Sequence, residues 1–232
     1  MSETPGEKAA REELASRTLV TLRPIASPLA LGFFGLAAAT FVMSGLQLGW
    51  VEPTEGKQVA LCILAFTVPL QFTASLLGFL ARDGVAATGM GLLSGIWAVL
   101  GLVTFTGKPG ATSDALGLFL LLAGIAMWAP ASSAVSSKLV PALVLGTAGL
   151  RFLVTGLFQL TSNEAWEDTA GVIGLVLAGL AVYAAYAAEF EDVVKRPLLP
   201  LGRRGKGELA MKGTYAQQIS AISHEPGVRQ QL

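Results

Sequence analysis

Six apolar runs of about twenty residues each leave this chain little choice but a lipid bilayer. They are Pro28–Leu48, Val59–Leu80, Thr88–Phe105, Ala115–Ala131, Pro141–Leu160 and Gly171–Ala188. A helix needs roughly 20 apolar residues to cross a membrane, and inside hydrocarbon a helix satisfies its own backbone groups. Five of the runs contain no Asp, Glu, Lys or Arg, and the other contains one, Arg151. The expected fold is therefore an all-α membrane protein with six transmembrane helices. Composition agrees: charged residues make up 14% of the chain, against about 25% in soluble domains.

The basic residues give the expected orientation. Thirteen Lys and Arg fall in the N-terminal arm, the second and fourth loops and the C-terminal tail; only Lys57 and Lys108 fall in the opposite loops. The positive-inside rule then places both termini in the cytoplasm and Glu164–Asp168 outside. The expected organisation is a cytoplasmic arm over 1–24, a six-helix domain over 25–190 and a cytoplasmic tail over 191–232. Ala, Glu, Arg and Leu in the arm favour a helix around Glu7–Leu22. In the tail, Met211, Tyr215, Ile219 and Ile222 recur at spacings of three and four, as on an amphipathic helix. A multi-pass protein of the cell membrane is expected.

Several chemistries are excluded or disfavoured. Cys62 is the only cysteine and His224 the only histidine. That leaves no histidine-based triad, no zinc set and no intrachain disulfide. No nucleophile–base pair occurs among the spans, so the chain reads as no enzyme, with no cofactor and no metal. No basic stripe interleaved with aromatics points to nucleic acid.

What remains is polar chemistry inside the spans. A charge at the bilayer centre costs about 2.5–3.5 kcal/mol or more, and such residues mark pathways or ligand sites. Arg151 and Thr155 lie four apart on one helix face, and Gln159 continues it. On span two, Pro69 cannot donate to the carbonyl of Ala65, and Gln71 follows at similar depth. Two readings of Arg151 stand side by side. It attracts an anion in a pore, or it caps carbonyls freed by Pro69 and bonds Gln71 within the bundle. Gly45/Gly49 and Gly91/Gly95 have the spacing of close helix contacts.

The segment Ser27-Pro28-Leu29-Ala30-Leu31-Gly32-Phe33-Phe34-Gly35-Leu36 resembles the opening motif of the YaaH-type acetate uptake transporters, N-P-A-P-L-G-L-x-G-F. Pro28, Leu31, Gly32 and Gly35 match; Ser27, Ala30 and Leu36 replace Asn, Pro and Phe. Gly95-Ile96-Trp97 and Ala170-Gly171-Val172-Ile173-Gly174 resemble two further family segments. The resemblance implies a ring of six-helix subunits, often a hexamer, that passes acetate and related short carboxylates with or without a proton. It implies a narrow point at apolar side chains, here Leu36 and Leu93, with Phe33 and Trp97 beside it. It does not supply Arg151, because well-known members are apolar in that region. The expected substrate path runs along Ser27, Pro28, Gly32, Phe33, Leu36, Gln71, Leu93, Trp97, Arg151, Thr155 and Gln159. The alternative is a membrane scaffold or accessory protein that keeps the architecture without transport.

Overall fold

The computed structural model describes residues 26–81, 83–194, 198–205, 207 and 208, with Gly6 and Ala9. Apart from Ala9 and Glu208, the helices expected at Glu7–Leu22 and over 208–223 lie outside the described residues. Among the described residues, six helices are long and apolar enough to span a bilayer: α1 (Leu29–Gln47), α2 (Pro53–Leu80), α3 (Gly84–Thr106), α4 (Asp114–Val135), α5 (Leu139–Thr161) and α6 (Glu164–Val194). They run up and down in sequence. One end of the bundle carries Ser27 and Val194 and is called the tail end. The other carries the α1–α2, α3–α4 and α5–α6 connections and is called the far end.

Several helices extend beyond the apolar runs, and α2 begins at Pro53, ahead of the run that starts at Val59. Helix α6 begins at Glu164, seven residues before the apolar run, so Glu164, Glu167 and Asp168 are helical rather than loop. Acidic residues in a first turn complement the helix dipole, a signal that hydropathy does not register. Likewise α4 continues through Pro130 to Val135.

Pro69 has its effect within α2. Ile63–Thr67 is one π-helical turn, closed by Val68 N–H donating to the carbonyl of Ile63. A proline removes one donor from the ladder, and widening the preceding turn re-pairs the backbone locally. Thr67 Oγ1, in the same turn, ties α2 to α1 by donating to the carbonyl of Gly35 at 2.9 Å.

A tight helix crossing joins α4 and α5. A Cβ added at Gly124 would stand 2.7 Å from the Gly149 carbonyl oxygen, and one at Gly149 would stand 2.7 Å from that of Gly124. Only glycine lets two backbones approach this closely in lipid. Of the spacings singled out in the sequence, Gly91 is a close contact, where a Cβ would stand 2.8 Å from Ser75 Oγ on α2, whereas Gly49 lies beyond α1 with φ +70° and Gly95 faces open space.

The tail end is closed by a strap formed from residues 198–205. Leu139 and Val140 N–H donate to the carbonyls of Gly202 and Leu201, and Arg204 N–H donates to that of Ser137. Leu201 is buried beneath α5, and Arg203 makes an ion pair with Glu191 of α6. Burial holds the Arg203 guanidinium below its usual range, while the Asp83 carboxylate works the other way.

Candidate functional site

Arg151 sits near the middle of α5 with 1% of its surface exposed. Its Nη2 donates to Gln47 Oε1, at the last residue of α1, over 2.9 Å. Arginine has donors only, so the amide must present its oxygen. The guanidinium carbon lies 5.3 Å from the centroid of the Trp97 ring, and that ring packs edge-on against Phe152. Room for the head group comes from Gly174 on α6, where a Cβ would meet Arg151 Nε at 2.5 Å and collide with Ser44 Oγ. Ser44 itself donates to the Thr40 carbonyl at 2.7 Å.

Compensation of this charge is incomplete. Arg151 Nε and Nη1 have no hydrogen-bond partner, and Trp97 Nε1 has none either. Among the described residues the ion pairs are Lys138–Asp83 and Arg203–Glu191, both toward the tail end, and no carboxylate reaches Arg151. A hydrogen bond to a charged group contributes about 1.5–3 kcal/mol. A desolvated cation–π contact adds about 2 kcal/mol. Dehydrating an ion costs several kcal/mol even after relaxation, and every unmade bond of the charged group adds to that. The cage therefore holds a cation it only partly stabilises.

The far end opens into a vestibule of about 360 Å³. Its wall includes Gln47, Thr155 and Gln159, with Met43 and Leu100 at depth. Arg151 is not part of the wall; Gln47 stands between its Nη2 and the cavity. Lys57, near the start of α2, and Lys108, in the α3–α4 connection, both line the mouth, as does Glu167. Toward the tail end the interior is filled. Phe33, Leu36, Met90 and Leu93 are fully buried, and a Cβ at Gly32 would collide with Met90 Sδ. The depression at the tail end holds about 20 Å³ beside Leu29, Asp83 and Lys138.

The expected path residues divide by location. Arg151 and Trp97 meet, with Thr155 one turn away; Phe33, Leu36 and Leu93 are buried in the filled part. Thr155 Oγ1 donates back to the Arg151 carbonyl at 2.9 Å, so its proton is committed. Gln159 Oε1 accepts from Ser113 N–H at 2.8 Å and ties down the α3–α4 connection. Ser27 and Pro28 stand at the tail end, where Ser27 N–H donates to Asp192 at 2.8 Å. Gln71 does not meet Arg151. Its Nε2 points to the Gly32 carbonyl at 3.5 Å and its Oε1 has no partner. Arg151 donates to Gln47, and its Nε and Nη1 bond nothing, so it does not cap the carbonyl freed by Pro69. The residue the sequence reading missed is Gln47. Its only signal was a polar side chain closing an apolar run.

The sequence profile of the GPR1/FUN34/yaaH family matches residues 14–193. The chain belongs to that family. Among solved structures it is similar to the bacterial acetate channel SatP, with a TM-score of 0.68 and 22% identity over 77% of this chain and 99% of that one. At that identity the likeness speaks for the six-helix fold. No curated protein sequence matches. Membership makes this a membrane protein of a transporter and channel family, and six apolar helices agree.

Proposed function

We propose that this protein passes acetate and related short-chain carboxylates across the cell membrane. One observation carries the reading: a buried arginine with two unpartnered nitrogens lies beneath a vestibule whose mouth bears two lysines. A carboxylate needs positive potential and hydrogen-bond donors in place of its water, and binding loose enough to release it. The lysines raise its local concentration, Arg151 replaces its hydration, and Trp97 and Phe152 offer apolar surface to a methyl group. Family membership and the fold shared with an acetate channel support the same substrate.

In this reading the packing of Phe33, Leu36, Met90 and Leu93 is a closed constriction, and passage requires these side chains to rearrange. The far end is external, both termini are cytoplasmic, and subunits assemble as a ring, a hexamer. The specific observation favouring a non-transporting scaffold is the sealed tail end with its strap.

Labelled acetate uptake into proteoliposomes at several pH values tests the proposal. Saturable uptake supports it, and dependence on an imposed proton gradient separates symport from a passive channel. No uptake above protein-free liposomes at any pH favours the scaffold. Glu164→Cys tests the orientation: labelling of intact cells is expected, and labelling only after permeabilisation would reverse it.

A further inference from the structure

We propose that the Gln47 side-chain amide is a built-in stand-in for the anion: it occupies Arg151 when the site is empty and must leave when a carboxylate binds. The inference rests on the reading of Arg151 as the anion site. It assigns Gln47 the role of gate and specificity determinant.

Three observations carry it. The amide oxygen is 2.9 Å from Arg151 Nη2, the position a carboxylate oxygen would take. Gln47 also lines the vestibule, whereas the 1%-exposed Arg151 does not, so an anion arriving from the far end meets the amide first. The remaining donors, Nε and Nη1, stay unpartnered, because a single amide oxygen cannot satisfy a planar fork.

The competition has a definite winner. The amide offers a dipole, and a carboxylate offers a full charge and two oxygens, in a region where water screens little. The amide is tethered, so it returns when the anion departs. That return keeps binding weak enough for release and keeps a neutral acceptor on the guanidinium while the site is empty. It also sets a selectivity rule. A ligand must repay the lost amide bond, so neutral hydroxyl compounds and undissociated acids fail where small carboxylates succeed.

The rule makes two substitutions move in opposite directions. Gln47→Glu keeps the shape but tethers a carboxylate to Arg151, a permanent internal ligand. Gln47→Leu removes the competitor and keeps the volume. The full-length protein, purified in mild detergent, is titrated with sodium acetate, and affinity is read from ligand-dependent thermal stabilisation. Gln47→Leu should bind acetate about tenfold more tightly, the ratio expected when one competing bond to a charged group is removed. Gln47→Glu should lose acetate binding by about a hundredfold while melting higher than wild type in the absence of acetate. Gln47→Ala serves in place of Gln47→Leu if the latter does not assemble.

Wild-type affinity in Gln47→Glu, or weakened binding in both Gln47→Leu and Gln47→Ala, would overturn the gate. Arg151→Gln separates the two levels of the argument. If it binds acetate like wild type, the anion site itself is wrong and the gate falls with it. If it loses binding while Gln47→Leu gains none, the anion site stands and only the gate is wrong.

Discussion

The far end of the bundle is hollow and polar, and the tail end is filled and pinned. Beneath the far-end vestibule one buried charge, Arg151, is left partly unpaired. At the tail end Arg203 pairs with Glu191 and Lys138 with Asp83, and the strap adds backbone bonds to α5. Both regions contain arginine, so residue type does not decide the role. The partner does. An arginine bonded to a carboxylate fastens structure, whereas one given only an amide and an indole face keeps affinity for an anion.

The comparison can be broken first at Gly174. Gly174→Ala would drive a methyl group into Ser44 Oγ and Arg151 Nε. Overpacking of this kind costs about 1–3 kcal/mol, and the shifted guanidinium should lose most of its acetate affinity. Retention of wild-type melting and binding would mean that the cage is looser than described.

At the tail end, Glu191→Gln removes the charge that faces Arg203. A hydrogen bond to a charged group is lost or weakened, so a stability loss of about 1–2 kcal/mol is expected in thermal melts. Acetate affinity should stay at the wild-type value. A parallel fall in affinity would show that the two ends are coupled, contrary to the division drawn above.

The smallest effect belongs to the mouth. Lys57→Gln combined with Lys108→Gln should slow acetate uptake by about two- to threefold at low ionic strength, with the difference vanishing at high salt. A defect that persists at high salt would make the lysines direct ligands instead of attractors.

The six helices were legible because hydropathy alone reports them, and seven of their twelve boundaries fall within two residues of the apolar runs. The start of α6 was not, since its first turns are acidic and helical for reasons of dipole and propensity. Arg151 stood out as one charge among apolar residues. Its surroundings did not. Gln71 shares its depth, yet depth says nothing about which face meets which, and the two side chains point to different neighbours. Gln47 lies 104 residues from Arg151 in the chain, and only the packing of α6 against both α1 and α5 brings them together. The resemblance located the filled part of the path at Phe33, Leu36 and Leu93, but the family pattern has no arginine from which the cage could have been read.

The central claim is that Arg151 holds the anion, and equilibrium binding of labelled acetate to matched, equally assembled proteins tests it most directly. The account predicts that Arg151→Gln lowers affinity by about a hundredfold, the scale of losing an ion-paired bidentate contact, and that Arg151→Lys recovers only part of it because a point charge lacks the planar fork. Arg151→Gln protein that is well folded and binds acetate with wild-type affinity would contradict it and leave Arg151 as a purely structural group.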